Sequence, residues 1–186
     1  MDKRVKLVNP KNSKIIDVQI LERVIHFDPR GFLVETMRKD DKKVGGDKFV
    51  MSYNSMTPPG VARDETQWHH HKKQVDRFIC VKGRIALALC DNRKNSKTYG
   101  VLQVLDLEGA QSAEIKKREK KERITYMVTV PEGVYHCYKN IGDEDCLLVN
   151  FPTQLYNSND EGRTLFKDIP IDSLSNRTFS WNLLEY

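Results

Sequence analysis

The sequence predicts an all-β fold of the sandwich or barrel type. Turn-forming clusters of Gly, Pro, Asn and Asp recur at short intervals, and the segments between them are rich in Val, Ile, Leu, Phe, Tyr and Cys. In several of these segments apolar residues alternate with polar or small ones, as in strands that face a core on one side. Short strands separated by frequent turn signals are typical of sandwiches and barrels. A length of 186 residues fits one domain.

Eight strands are predicted between the turn clusters, in chain order. The first follows the turn DPRG, the second ends before TPPG, and the next two flank Gly83. The fifth follows DNRKNS, and the last three are separated by the turns PEG and IGDED. The predicted strands are Phe32–Met37, Lys48–Met56, Arg77–Val81, Ile85–Cys90, Val101–Leu107, Ile124–Val130, Val134–Lys139 and Cys146–Phe151.

The rest of the chain divides around these strands. We expect one domain over residues 1–186, with an N-terminal arm or strand at 1–23, the barrel at 24–161 and a tail at 162–186. The tail mixes short apolar groups with turn residues, which predicts irregular structure or short helices packed on the barrel. Residues 108–123 are highly charged, which indicates an insertion between strands. It is interpreted as a solvated excursion or, alternatively, as a contact arm for a partner or a substrate phosphate.

Composition excludes several classes of function. The net charge is +5, but both signs are interspersed and neither a helix-turn-helix nor an aromatic RNA-binding pattern occurs, so nucleic-acid binding is not expected. The four cysteines form no CxxC pair, which favours a reduced, cytoplasmic protein. The sequence has no apolar leader and no run of 18 apolar residues, so we expect no membrane span.

A histidine motif carries the strongest chemical signal. His69 and His71 are followed by Asp76 and Gly83, and the later segment Pro131–Asn140 contains His136. These two segments resemble the cupin motifs H-x-H-x4-(E/D)-x6-G and P-x-G-x-x-H-x3-N, which implies a double-stranded β-helix, or jelly roll. On a strand, His69 and His71 point to the same face and His70 points away.

Three imidazoles and one carboxylate suit a divalent first-row metal with open coordination positions. We therefore predict that His69, His71, Asp76 and His136 bind one Zn, Fe, Mn or Ni ion. Asp76 is one methylene shorter than the usual glutamate, which leaves two alternatives open: a ligand role for Gln74, or a site with only the three histidines as ligands. The alternative is a histidine-lined pocket without a cofactor, in which the imidazoles contact the substrate.

Further segments resemble the dTDP-4-dehydrorhamnose 3,5-epimerase family. They cover about residues 24–165 in the order of that family, with the segments around Arg30 and Arg93–Gly100 the most specific. The matching segments are His26–Glu35, Gly60–Arg63, Gln74, Gly83, Asp91–Gly100 and Pro131–His136. The resemblance implies an isomerase acting on a nucleotide-linked 4-keto-6-deoxy sugar of the dTDP-4-keto-6-deoxyhexose type. It also implies a homodimer and a reaction that needs no metal.

The resemblance also implies roles for individual residues. Arg30 and Arg63 match arginines that contact the nucleotide diphosphate, a task suited to guanidinium groups. Glu35 and Phe32 match residues near the base. Trp68, beside the histidines, is predicted either to stack on a sugar or base or simply to pack, and Gln74 is a candidate substrate contact.

The catalytic positions of the family are changed in this chain. An ungapped alignment places Thr66 at the catalytic histidine, Asp76 at the lysine that stabilises the enolate, and Val149 at the tyrosine acid. We therefore expect His71 and His136 to take over catalysis, with Tyr156 as a candidate acid. The favoured hypothesis is an epimerase-like cupin with a changed, metal-binding pocket.

Two alternatives remain open at this stage. One is a metallocupin of another class, such as a dioxygenase or a small-molecule isomerase. The other is a non-catalytic sugar-binding or nucleotide-binding cupin.

Overall fold

The computed structural model describes residues 4–110, 115, 117–119 and 122–185. We number fourteen strands in this part of the chain. They are β1 (Val5–Val8), β2 (Gln19–Asp28), β3 (Gly31–Val34), β4 (Tyr53–Thr57), β5 (Ala62–Arg63), β6 (Gln67–His71), β7 (Asp76–Lys82), β8 (Arg84–Asp91), β9 (Leu102–Glu108), β10 (Ile124–Val130), β11 (Val134–Asn140), β12 (Cys146–Asn150), β13 (Glu161–Leu165) and β14 (Leu184–Glu185).

The strands form two sheets that enclose the core. The first has the order β13-β6-β11-β8-β9-β1-β14, with β5 also paired to β11, and the second has the order β3-β2-β10-β7-β12-β4. Alternate apolar side chains of β8 and β10, such as Leu87, Leu89 and Val128, fill the space between the sheets. The prediction of an all-β jelly roll is confirmed.

A second apolar cluster lies on the other side of the first sheet. The residues after β13 cover this outer face with short 3-10 turns at 166–168, 172–174 and 181–183. Phe166, Phe179 and Trp181 of this segment pack against Trp68 and neighbouring strand residues. The predicted irregular or short-helical tail is therefore present. None of the helical segments in the described residues has the length and apolar character needed to cross a membrane.

The ends of the chain contribute more strands than predicted. In the N-terminal segment, β1 pairs in parallel with β9. β2 pairs with β10 on both sides of residue 23, where the predicted arm ends. β13 begins at Glu161, so its strand runs across the predicted boundary between barrel and tail. Its sequence EGRTL is short and polar and shows little alternation of apolar and polar residues. The strand is held at the sheet edge by its pairing with β6.

The charged insertion is described only in part. β9 ends at Glu108, and Ala110 and Ile115 are buried in a small cluster with Ile25. This contact anchors that part of the insertion to β2. The interpretation as a solvated excursion or a contact arm falls in part on residues 111–114, 116, 120 and 121, which lie outside the described residues.

The predicted strand Lys48–Met56 is shorter in the structure, where β4 begins at Tyr53. A buried arginine explains the difference. The guanidinium of Arg77, which is fully buried, donates to the main-chain carbonyl oxygens of Gly45, Lys48 and Pro152. These bonds hold residues 44–48 as an irregular loop against β7, so this segment does not extend β4.

Candidate functional site

Three imidazoles meet on the inner face of the first sheet. His69 and His71 lie on β6, and His136 lies on β11 directly opposite His69. The ring centroid of His69 is 4.7 Å from that of His71 and 5.1 Å from that of His136. One ring nitrogen of each residue lies within 4.8 Å of the others. His70 points to the outer face, where it stacks on Tyr135 at 4.2 Å.

The facing sheet supplies a buried carboxylate. Asp76 begins β7, and its Oδ2 is 3.3 Å from Nε2 of His71 and 3.3 Å from Nε2 of His136. Its Oδ1 accepts hydrogen bonds from Gln74 Nε2 at 2.8 Å and Asn150 Nδ2 at 2.7 Å. Burial alone would raise the pKa of Asp76, but the neighbouring imidazoles outweigh it and hold this pKa far below its usual range. Asp76 is therefore a permanent negative charge at the base of the site.

Two more carboxylates surround the imidazoles, and sequence reasoning missed both. Glu161 Oε1 lies 3.3 Å from His69 Nε2, and Asp160 Oδ2 lies 3.5 Å from His71 Nδ1. They reach the cluster because β13 pairs with β6 in a register that sets Glu161 opposite His71. The turn NSNDEG was visible in the sequence, but its pairing with the histidine strand was not.

The surroundings of His69 and His71 shift the pKa values of the two imidazoles in opposite directions. Burial and the charges of His136 and His71 lower the pKa of His69 to about 3. Burial also opposes the charging of His71, but Asp76 and Asp160 overcome it and raise the pKa of His71. Neighbouring rings of contrasting pKa are an arrangement that active sites use for acid–base work.

Several ring nitrogens in the site lack a hydrogen bond. His136 Nδ1 donates to the carbonyl oxygen of Val134 at 3.2 Å, and its Nε2 lies 3.3 Å from Asp76 Oδ2. His136 Nε2, His69 Nε2 and His71 Nδ1 are buried in the described structure without a hydrogen-bond partner, although each faces a carboxylate. Unsatisfied buried polar atoms are costly, which indicates that the site is built for a ligand.

The second wall of the pocket also carries a tyrosine that sequence reasoning missed. Tyr53 of β4 lies opposite Asn150 of β12. The Tyr53 hydroxyl accepts a hydrogen bond from Asn150 Nδ2 at 2.9 Å. Burial raises the pKa of Tyr53 to about 12, and the charge of Asp76 adds to this rise. Tyr53 belonged to no motif, but strand alternation around it was available as a signal.

Other predicted site residues lie elsewhere. Trp68 is fully buried in the outer apolar cluster, 4.9 Å from Phe166 and 5.0 Å from Phe179, so the stacking interpretation is wrong and the packing one is correct. Its position on β6 has the opposite parity to His69 and His71. Tyr156 lies between β12 and β13 and is 75% exposed, so the structure does not bring it into the cluster.

The predicted nucleotide contacts divide into two groups. Arg30 is paired with Asp28 at the exposed β2–β3 turn, Phe32 packs near Phe27, and Glu35 is paired with Arg38. None of these contacts, which lie in the described region, involves the histidines. The remaining predicted contact is Arg63, which lies on β5 beside β11. Its guanidinium donates to the carbonyl oxygen of Met56 at 3.0 Å.

The fold and the inward-facing histidines define a cupin-type barrel with a polar pocket. Residues 12–181 match the family model of dTDP-4-dehydrorhamnose 3,5-epimerase, and the chain belongs to that family. The likeness predicted from the sequence is thus confirmed. Membership of this family also confirms the expectation of a carbohydrate epimerase or isomerase.

Named relatives cover most of this chain. It is 37% identical over 147 residues to a probable low-salt glycan biosynthesis epimerase of Haloferax volcanii, covering 78% of this chain and 83% of the relative. It is 28% identical to the spore coat polysaccharide biosynthesis protein SpsL of Bacillus subtilis, covering 89% and 95%. A dTDP sugar isomerase structure from Desulfovibrio desulfuricans shares the fold with a TM-score of 0.70 at 20% identity, covering 90% and 92%.

Proposed function

We propose that this chain epimerises a nucleotide-linked 4-keto-6-deoxy sugar and that a divalent metal ion binds in its histidine cluster. The observation that carries the proposal is the set of buried imidazoles with unpartnered nitrogens, facing carboxylates inside an epimerase-family barrel. Several solved structures of similar fold are named as complexes with dTDP sugars or dTDP, which supports the substrate class.

The residues present fit a metal ion. Metal–ligand lengths of about 2.1 Å place two tetrahedral ligands about 3.4 Å apart. Asp76 Oδ2 lies 3.3 Å from Nε2 of both His71 and His136, which matches this spacing. His136 is held in the tautomer that leaves Nε2 unprotonated, a usual feature of ligating histidines. The ring nitrogens of the three histidines lie within 4.8 Å of one another, and Asp76 lies beside His71 and His136. His71, His136 and Asp76 would hold the ion, which leaves His69, also predicted as a ligand from the sequence, for proton transfer.

The family lysine that stabilises the enolate is replaced by Asp76, whose charge would oppose an enolate. A bound divalent ion would supply the missing positive charge next to the sugar carbonyl. His69 is the candidate proton acceptor, because its ring faces Glu161 and not Asp76, and its lowered pKa keeps it unprotonated near neutral pH. Glu161, 3.3 Å from His69 Nε2, stabilises the imidazolium that forms when His69 takes a proton from the carbon next to the carbonyl.

The nucleotide contacts implied by the resemblance require a second chain for part of the site. Arg30, Phe32 and Glu35 lie on or beside the edge hairpin β2–β3, which also exposes Val24 and Leu33. Exposed sheet edges with apolar side chains favour pairing with another chain. A homodimer would allow this hairpin to contact the nucleotide in the partner's pocket. Light scattering of the purified protein tests the dimer, and a monomer at micromolar concentration would contradict it.

The cytoplasmic location remains a proposal. It is supported by the four cysteines, which are buried and unpaired. Such thiols require no oxidising compartment.

The function is tested by two measurements on untagged protein. Incubation with dTDP-4-keto-6-deoxyglucose in heavy water should place deuterium at C3 or C5 of the sugar. Elemental mass spectrometry should find about one metal ion per chain, which is lost in His71→Ala and His136→Ala. Metal retained in His69→Ala would restrict His69 to proton transfer. Absence of deuterium would contradict the reaction, and absence of metal would leave the histidines as acid–base groups.

A further inference from the structure

We infer that Tyr53 is the proton donor of this epimerisation, an inference that rests on the proposed function. An ungapped count from His136 sets Val149 at the family's tyrosine position, and Tyr156 is 75% exposed outside the cluster. A reaction that inverts a carbon centre needs an acid as well as a base. The acid must therefore come from another element of the barrel.

Strand pairing aims the Tyr53 side chain into the barrel. Residues 53, 55 and 57 share one face of β4, because side chains alternate along a strand. The hydroxyls of Ser55 and Thr57 lie 2.6 Å and 3.1 Å from the hydroxyl of Tyr138, which belongs to the inner core. Tyr53 therefore faces the same interior, at the end of β4 that lies beside Asn150.

The Tyr53 hydroxyl is joined to the histidine site through one amide. Asn150 Nδ2 donates both to the Tyr53 hydroxyl at 2.9 Å and to Asp76 Oδ1 at 2.7 Å. Asn150 is fully buried, whereas Tyr53 is 43% exposed. The hydroxyl oxygen of Tyr53 is thus held in the polar network of the site, while the residue as a whole is partly exposed. An incoming sugar could contact it without displacing the core.

The two walls of the pocket place the base and the acid on opposite sides. His69 belongs to β6 of the first sheet, and Tyr53 belongs to β4 of the second. Inversion requires that a proton leave one face of a carbon and a new proton arrive at the other face. A sugar bound between the sheets would present its two faces to these two side chains. Other tyrosines of the described chain are less suitable: Tyr135 stacks on the outer face, and the Tyr138 hydroxyl is enclosed by Ser55 and Thr57.

The proton balance of the step is simple. His69 removes the proton from the carbon next to the carbonyl, and the C–H electron pair forms the enolate. The enolate carbon then takes the proton of the Tyr53 hydroxyl, so that a C–H bond forms as the O–H bond breaks and a phenolate remains. Asn150 stabilises the phenolate by its hydrogen bond. Water returns a proton to Tyr53 and removes one from His69, so the net reaction is an isomerisation.

The test compares two matched tyrosine variants in heavy water. Tyr53→Phe removes only the hydroxyl, and Tyr99→Phe makes the same change at a position that is also 43% exposed but lies in the turn after β8. With dTDP-4-keto-6-deoxyglucose, Tyr53→Phe should lower the rate of inversion at least about 100-fold. Deuterium exchange without inversion should continue, because the base is intact. Tyr99→Phe should match the parent in both rates.

The possible outcomes separate this inference from the proposed function. Inversion by Tyr53→Phe within about threefold of the parent would overturn the role of Tyr53 while the function stands. Loss of exchange together with inversion would also overturn it, since a donor is not needed for proton removal. A parent protein that neither exchanges nor inverts would overturn the proposed function and this role with it. The thermal midpoint of each variant checks folding, and Tyr53→Leu replaces the Phe variant if that protein does not fold.

Discussion

The two faces of strand β6 carry similar aromatic side chains, but these side chains have different surroundings on each face. On the outer face, Trp68 and His70 are packed against aromatic rings, with Phe166 and Phe179 around Trp68 and Tyr135 stacked on His70. On the inner face, His69 and His71 each keep a buried ring nitrogen without a hydrogen bond. Trp68 Nε1 on the outer face also lacks a hydrogen bond, so the distinguishing feature of the inner face is the set of carboxylates around its imidazoles. The outer face stabilises the fold, and the inner face is the candidate functional one.

The comparison teaches that a run of three histidines is not one motif. Alternation along the strand assigns His70 to packing and its two neighbours to the pocket. A substitution of His70 on the outer face is therefore a control for the same substitution of His69 or His71 on the inner face. Substitutions on the two faces should differ in what they damage.

The largest effect is expected from the inner face. His71→Ala should remove the bound metal and lower epimerisation by about 10³-fold, because it deletes a proposed metal ligand that lies beside Asp76. His70→Ala should keep the metal and most of the activity. Elemental analysis and the deuterium assay provide the measurements. Equal losses in the two variants would remove the distinction between the faces.

The outer face should show the opposite behaviour in stability. Trp68→Ala opens a cavity in a fully buried aromatic cluster and should lower the free energy of unfolding by about 3–5 kcal/mol. His69→Ala, one residue away, should change it by no more than about 1 kcal/mol. Urea unfolding monitored by circular dichroism measures both. A small loss for Trp68→Ala would show that the outer cluster contributes little to folding.

A glycine on β13 sharpens the comparison further. A Cβ atom at Gly162 would lie 2.2 Å from the His70 ring, which is held by its stack on Tyr135. Gly162→Ala should therefore destabilise the protein by about 1–3 kcal/mol. The double variant Gly162→Ala/His70→Ala should recover most of this loss, because the clashing ring is gone. Unfolding of the single and double variants tests this, and no recovery would point to a backbone effect at Gly162.

The sequence predicted the barrel and the three inward histidines from strand alternation together with the resemblance of two short segments to the cupin motifs, and both are local properties of the chain. The motif also identified Asp76. Glu161 and Asp160 were missed because they reach the site through the pairing of β13 with β6, and register between strands distant in sequence is not visible in a single chain. Tyr53 was missed for the same reason, since its place depends on the pairing of β4 with β12.

Trp68 shows the converse error. Its position beside the histidines suggested a stacking role, but the parity of the strand placed it outside the barrel. Arg30 shows a further limit, because the role that the resemblance implies for it depends on the proposed homodimer. Local chemistry therefore outlined the site, and long-range pairing decided which residues complete it.

The smallest predicted effect is the pH dependence of stability that His69, on the inner face of β6, contributes. The pKa of His69 is about 3 in the folded protein, against an ordinary value of 6.5. As the pH falls from 6.5 towards 3, His69 binds a proton in the unfolded chain but not in the folded protein. The free energy of unfolding therefore falls, and this group contributes at most about 1.4 kcal/mol per pH unit to the decline. His69→Asn should flatten this decline. Urea titrations at pH 6.5, 5.5 and 4.5 with a chelator present compare the parent and the variant. Identical slopes would mean that His69 takes up its proton in the folded protein, which would remove the argument for an unprotonated base at this position.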